Sequence, residues 1–346
     1  MSIPDQPQKP TDRPAPKVLL QMITGYWISQ AIYVAAKLGI ADLLKEGPKN
    51  CDELAKATGT HPRSLYRLLR ALASVGVFAE AEDGRFGLTP LGEYLQTGIP
   101  GSVRALTINH GERLYRPWGE LLHSVRTGET AFHHIFGMDV WQYATQNPET
   151  AAIFNEAMTE LTTQVATAVV TGYNFARFRK IVDVGSGNGT LILSILQANP
   201  QMSGILFELP HIVEDAQKHL EAASLTGRCA VLAGDFFVSA PSGADAYILK
   251  NIIHDWDDER ALKILQNCHR AMAENGKLLL VEEVIPPGNE PSFGKLVDLT
   301  MLVMAGGCER TEAEYRALFA TAGFTLTNLI PLPSPLSFSV IEGVQA

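Results

Sequence analysis

The sequence predicts an α/β protein: a doubly wound parallel sheet in the C-terminal half, behind a smaller and mostly helical domain. Two observations carry this. From Lys180 onward, short apolar runs alternate with helical stretches of about 10 to 15 residues, the pattern of parallel strands joined by crossover helices. The first apolar run, Ile181-Val182-Asp183-Val184, feeds straight into Gly185-Ser186-Gly187-Asn188-Gly189, a loop that can turn sharply at a strand end.

The 346 residues leave room for about two domains and for a core that needs no disulfides or structural metal. Hydrophobic residues are 46% and charged residues 19%, which is a globular composition rather than a disordered one. Lys plus Arg number 28 against 37 Asp plus Glu, and a formal charge of -9 argues against a nucleic-acid partner held through phosphates. Cys51, Cys229, Cys268 and Cys308 are too scattered for a zinc or CxxC site and read as thiols of a reducing compartment. Residues 1–17, rich in Pro, Gln and Asp, read as a disordered tail without an apolar signal segment. No apolar run is expected to reach the roughly 18 residues needed to span a bilayer. The expectation is a soluble, cytoplasmic protein with no membrane partner.

The elements follow in order. From Val18 to about Leu38, Ile23, Trp27, Ile28, Ile32, Val34, Ala35 and Leu38 repeat at helical spacing with a sparse polar face. Such a helix is expected to be buried on more than one side, against the fold or a second subunit. Gly39 ends it. Cys51–Ala55 opens a short helix, and Gly59-Thr60-His61-Pro62 is a turn. Ser64–Ser74 is a second helix, with Leu65, Leu68, Leu69 and Leu72 on one face. Val75–Glu80 and Arg85–Leu88 read as strands joined at Glu82-Asp83-Gly84. Two helices and a hairpin make a winged helix-turn-helix. Arg63, Arg67 and Arg70 would suit a transcriptional regulator, but the acidity of the chain and its large second domain favour dimerisation or packing. Residues 101–178 read as mostly helical, a linker able to cover a site. One helix is marked by Trp118, Leu121, Leu122 and Val125, and a long one, Pro148 to Val170, carries Phe154, Met158 and Leu161. His110, His123, His133 and His134 fall in this stretch with no acid at ligand spacing, so no metal is expected there. The expected divisions are residues 1–17, 18–100, 101–178 and 179–346.

In the C-terminal part, strands are expected at Ile181–Val184, Ile205–Phe207, Ala230–Leu232, Ala246–Leu249 and Lys277–Val281. Helices are expected at Thr190–Ala198, Ile212–Ala223, Glu259–Met272, Phe293–Met304 and Thr311–Thr321, and closing strands within Thr325–Val344. In a doubly wound sheet the ligand lies at the C-terminal strand ends. The glycine loop, with unpaired N–H groups of the next helix behind it, suits a pyrophosphate, a carboxylate or another polar group. The third glycine comes one residue early for the dinucleotide fingerprint. Glu208, at the second strand end, can accept both hydroxyls of a ribose, which NAD and S-adenosylmethionine share. Asp235 can accept from an adenine amine, with Phe236 against the purine face.

These segments, together with Phe207-Glu208-Leu209-Pro210, Gly234-Asp235-Phe236-Phe237, Lys250-Asn251-Ile252-Ile253-His254-Asp255-Trp256, Asn275-Gly276-Lys277 and Thr321-Ala322-Gly323-Phe324, give a resemblance over nearly the whole chain. The sequence resembles the S-adenosylmethionine-dependent O-methyltransferases of the plant caffeate and flavonoid type and their bacterial relatives in antibiotic biosynthesis. The resemblance implies a Rossmann-like methyltransferase sheet, a winged-helix domain that dimerises, and no metal. It implies His254 as the catalytic histidine, with Glu282 and Glu309 as the acids that orient it. Asp183, Gly185 and Gly187 match the loop around the methionine part of the cofactor. Glu208 matches the ribose acid, usually Asp in plant members, Asp235 and Phe236 the adenine site, and Lys250 a lysine near the cofactor. Phe154 and Met158 match pocket positions, and Asp255, Trp256, Met301 and Met304 are further candidates for the pocket rim.

The chemistry fits those roles. A neutral hydroxyl is a weak nucleophile, and a histidine with a reference pKa of about 6.5 can take its proton. Glu282, at the end of the fifth strand, is the first expected partner and Glu309 the second, while Glu283 should point elsewhere. The expected product is an O-methylated phenol or polyketide, leaving S-adenosylhomocysteine. Methylation of nitrogen, a non-methylating reaction such as hydroxylation or decarboxylation, and a regulator are the alternatives. A homodimer is expected, with Met22, Tyr26 and Trp27 reaching a neighbouring pocket.

Overall fold

The computed structural model describes residues 15–333 and 337–346. The chain divides into two units. One comprises the residues up to Arg116 with Asn147–Leu161, the other Pro117–Gln146 with Thr162–Ala346. The stretch 101–178 is therefore shared between the two, and the long helix Pro148–Gly172 contributes residues to both.

The first unit starts with helices Ala15–Ile23 and Gly25–Lys37, so Ala15–Lys17 are helical rather than part of a tail; residues 1–14 lie outside the described residues. Gly39 takes a left-handed φ of 66° and starts the short helix Ile40–Leu43. Asn50 and Glu53 form a capping box on helix Cys51–Thr58, which packs on helix Pro62–Ser74. The strands β1 (Phe78–Glu80) and β2 (Phe86–Leu88) pair antiparallel as the wing. The core of this unit gathers Ile40, Leu44, Leu54, Leu65, Leu69, Leu72, Phe78 and Phe86. Ala35 and Ala36 of the second helix are buried in this core, while in the single chain Leu19, Met22, Ile23, Tyr26 and Trp27 are 50–72% exposed. One expectation needs correcting: the apolar run is longer than expected. Ala15–Lys37 is apolar and long enough by length and composition to cross a membrane, because no charged residue falls between Lys17 and Lys37.

The second unit is built on seven strands: β3 (Lys180–Val184), β4 (Ser203–Glu208), β5 (Cys229–Ala233), β6 (Ala246–Lys250), β7 (Lys277–Glu283), β8 (Phe324–Pro331) and β9 (Phe338–Gln345). Their order in the sheet is β5-β4-β3-β6-β7-β9-β8. The first five strands run parallel; β9 pairs antiparallel with both β7 and β8. The expected parallel sheet thus ends in an antiparallel pair, since a hairpin-like return needs no crossover helix. Residues alternate between two cores. Ile181, Ile248, Leu279 and Val281 face helix Thr190–Ala198, while Val182, Tyr247, Leu249 and Leu278 face helices Asp258–Ala271 and Glu312–Thr321. Burial on both faces is why these strands read as continuous apolar runs. The strand order reverses between β3 and β6, the switch point at which such sheets bind ligands. The expected single helix at Trp118–Val125 is instead two, Tyr115–Gly119 and Leu121–Thr127, and Leu122 and Val125 are exposed.

Candidate active site

After β6 the chain bends through Asn251, whose φ of 54° is left-handed, into the single 3-10 turn Ile253–Asp255. Non-glycine residues seldom adopt that conformation, and the surroundings must hold it in place. They do so through Glu282 on β7: its Oε1 accepts from Ile252 N at 3.1 Å and Ile253 N at 2.9 Å. The turn carries His254 into the interior. Its Nδ1 lies 2.5 Å from Glu309 Oε1 and 3.8 Å from Glu282 Oε2, and its Nε2 lies 3.7 Å from Asp255 Oδ1. The sequence order of partners is thus reversed. Glu309 is the direct partner, and Glu282 is mainly the anchor of the turn.

His254, Glu282 and Glu309 are all buried. Burial opposes the imidazolium charge, but Glu282, Glu309 with its hydrogen bond, and Asp255 outweigh it and raise the His254 pKa to about 10. Burial pushes Glu282 up as well, against the pull of His254. The three side chains also offer ligand atoms within 4.8 Å of one another, the one group among the described residues with the makings of a metal site. His123 and His134 stack at 3.9 Å between ring centres and form no such group. Glu283 lies on the opposite face of β7 from Glu282. It is buried, its Oε2 has no hydrogen-bond partner, and burial raises its pKa to about 7.

A second cluster lies along the neighbouring strand ends. Asp183, near the end of β3, is 2% exposed, and its Oδ2 has no hydrogen-bond partner. Burial, with Glu208 adding to it and Lys250 opposing, raises its pKa to about 7. Gly185 has a φ of 71°, and a Cβ there would stand 2.5 Å from Ile252 Cδ1 and 3.5 Å from the Phe236 ring. Gly185 therefore lets the loop close on the turn that leads to His254. Gly187, also left-handed, donates its N–H to Glu208 Oε2 at 2.8 Å, and Leu209 N donates to Oε1 at 2.7 Å. Asp235 accepts from Phe237 N at 2.8 Å. Lys250, at the end of β6, is pushed down to about 8 by burial, against Glu282, Asp183 and Asp255.

The structure thus sets Asp183, Gly185, Gly187, Glu208, Asp235, Phe236, Lys250, His254 and Glu282 at or just beyond the C-terminal ends of the parallel strands, with Glu309 against His254. The remaining candidates are scattered. Phe154 and Met158 belong to the first unit, where the Arg113 guanidinium lies 4.4 Å from the Phe154 ring centre. Trp256 packs against Phe237, with ring centres 4.8 Å apart, and Trp141, at 5.8 Å. Asp255 and Met301 are half-buried and Met304 is buried. Sequence reasoning missed Gly307, Asp298 and Arg310. A Cβ at Gly307 would stand 2.1 Å from the His254 carbonyl oxygen, and Asp298 Oδ1 accepts from Glu309 N at 2.9 Å.

Known proteins similar to this chain are methyltransferases. Residues 118–325 match the O-methyltransferase domain family, and residues 20–98 match the O-methyltransferase dimerisation domain. The chain is 50% identical over 324 residues to the phenazine O-methyltransferase PhzM of Lysobacter antibioticus, covering 94% of this chain and 95% of that one. Among solved structures, LaPhzM superposes with a TM-score of 0.93 at 49% identity over 96% of this chain and 100% of that one. The O-methyltransferase NcsB1 from neocarzinostatin biosynthesis, in complex with S-adenosylmethionine and 2-hydroxy-5-methyl naphthoic acid, gives 0.80 at 34% identity over 92% and 96%. Arg63, Arg67 and Arg70 are exposed, as a regulator would need, but they lie inside the matched dimerisation domain.

Proposed function

The chain belongs to the O-methyltransferase family and is an S-adenosylmethionine-dependent O-methyltransferase; on that premise we propose that it methylates a hydroxyl of a small aromatic or polyketide-like metabolite, with His254 as general base, as a soluble cytoplasmic homodimer. The observation that carries the reading is the buried His254–Glu309 contact of 2.5 Å. With Nδ1 held there, Nε2 is the ring atom left to take the proton of an acceptor hydroxyl. Glu309 fixes the tautomer and stabilises the imidazolium that forms, and Glu282 holds the turn. The base, and not a metal, activates the hydroxyl in this reading. Such a base contributes about 10²- to 10⁴-fold.

The residues along β3 and β4 fit the methyl donor. The orphaned, buried Asp183 oxygen is an acceptor suited to an ammonium group. Gly185 and Gly187 bring backbone close, Glu208 suits a ribose, and Asp235, Phe236 and Lys250 complete the set. When bound, S-adenosylmethionine supplies a methyl group on a positively charged sulfur. The phenazine enzyme and the naphthoate complex support a flat aromatic acceptor, which Asp255, Trp256, Met301 and Met304 would line. The match of residues 20–98 to a dimerisation domain supports the homodimer.

Calorimetry tests the reading. S-adenosylmethionine and S-adenosylhomocysteine should bind saturably and NAD should not. With hydroxyphenazine and dihydroxynaphthalene acceptors, His254→Ala should retain S-adenosylhomocysteine binding and lose about 10²- to 10⁴-fold in kcat. Binding of NAD alone would overturn the assignment.

A further inference from the structure

Residues 306–310 do more than deliver Glu309. The Arg310 side chain is 2% exposed, and all five of its N–H donors are engaged. Nε and Nη2 donate to Asp258 Oδ1 at 3.0 and 2.8 Å. Nη1 donates to Ile253 O at 3.2 Å and Cys308 O at 3.3 Å, and Nη2 donates to Trp256 O at 2.9 Å. One guanidinium therefore spans the chain from the residue before His254 to the start of helix Asp258–Ala271. The backbone of Arg310 is fixed in turn: Ile285 N donates to its carbonyl at 3.1 Å, and Val284 bridges to it beyond the end of β7.

These contacts give the His254 turn two clamps. Glu282 takes the N–H groups of Ile252 and Ile253 on one side, and Arg310 takes the carbonyls of Ile253 and Trp256 on the other. A cation beside the N-terminus of a helix opposes the helix dipole, so stabilising Asp258–Ala271 does not account for Arg310. A lysine would carry the charge but could not reach acceptors spread over this span. We propose that Arg310 is a positioning residue for the methyl transfer, holding the Ile253–Asp255 turn where Glu309, its neighbour in the chain, meets Nδ1 of His254. The proposal rests on the reading of His254 as the base. It goes beyond that reading by assigning the placement of the base to a residue outside the proposed acceptor and cofactor sets.

The test uses full-length protein saturated with S-adenosylhomocysteine. The His254–Glu309 hydrogen bond should give a far-downfield exchangeable proton in the NMR spectrum, assigned by its loss in His254→Asn and Glu309→Gln. In Arg310→Met this proton should shift or broaden away. With hydroxyphenazine as acceptor, kcat should fall about tenfold or more while KM for S-adenosylmethionine stays within about twofold, as expected for a displaced base. Arg310→Lys should fall between wild type and Arg310→Met. Asp258→Ala, which leaves the carbonyl contacts in place, should lose least. On a His254→Ala background, Arg310→Met should cost nothing further. A folded Arg310→Met or Arg310→Lys protein with an unmoved proton and wild-type kcat overturns the proposal, as does an undiminished loss on the His254→Ala background. Should Arg310→Met not fold, Arg310→Lys and Asp258→Ala decide by the same criteria. A wild-type spectrum without the proton, together with full activity of His254→Ala, overturns the base assignment itself, and it does so before any Arg310 variant is made.

Discussion

At His254 one imidazole is surrounded by three carboxylates, and this sets the pH behaviour of the enzyme. Its pKa is raised to about 10, so the free protein holds an imidazolium at neutral pH. Only the neutral ring can accept a proton, so kcat/KM should climb with pH through the range between 7 and about 10. A positively charged ligand entering beside the ring should push that proton off by like-charge repulsion. S-adenosylmethionine should therefore release more protons on binding than neutral-sulfur S-adenosylhomocysteine, measured by calorimetry in buffers of different ionisation enthalpy. Asp183, with a pKa of about 7, should contribute equally for the two ligands, because both carry the ammonium group that favours its charged form. Equal release by the two ligands would remove the coupling. At this scale the sequence named residues that the fold brings together and misjudged their geometry. The motif placed Glu282 and Glu309 near His254, but which acid meets Nδ1 depends on how the segment after Met304 returns to the sheet, and no spacing encodes that.

The elements were legible where their periodicity is strong. Helix Thr190–Ala198 falls where the apolar spacing puts it, and β3 and β6 differ from expectation by a residue. The closing strands were legible as strands but not in direction, because alternation of side chains reads the same in parallel and antiparallel pairing. Turns were legible as turns without their reasons. Gly306 has a φ of 79°, which its turn needs, whereas Gly307 is required for space. A Cβ at Gly307 would lie 2.1 Å from His254 O, 2.3 Å from Asp255 C and 2.4 Å from Trp256 N, all backbone atoms that cannot swing aside. Gly307→Ala should cost about 1–3 kcal/mol in thermal or denaturant unfolding. It should also displace the base, so activity should fall while S-adenosylhomocysteine binding, proposed above to lie at β3 and β4, is spared. Gly243→Ala is the control. Unlike Gly307 it has a left-handed φ, at 79°, and nothing lies within 4 Å of the added carbon, so it should lower stability modestly through backbone strain and leave kcat intact.

At the scale of the whole molecule, the helices Ala15–Ile23 and Gly25–Lys37 carry the exposed apolar stripe. Helical spacing made the apolar stripe legible, but periodicity in one chain reads alike for a core, a bilayer or a second copy of the protein. In the single chain, Met22 is 72% exposed, Trp27 61% and Ile23 61%, so large apolar side chains of both helices face outward. The matched dimerisation domain covers residues 20–98 and so includes these three positions, which favours a second copy as the cover. Large aromatic side chains dominate the energetics of such contacts, so Trp27 is the residue to attack. Wild-type protein should sediment as a dimer at micromolar concentration, and Trp27→Asp combined with Ile23→Asp should shift it to a monomer that retains its far-ultraviolet circular dichroism. The pair lies outside the core formed by Leu54, Leu65, Leu69 and Phe86, so the fold of the first unit should survive the change. A wild-type monomer that floats with anionic lipid vesicles would instead assign the same helices to a membrane surface, and the dimer would fall with it.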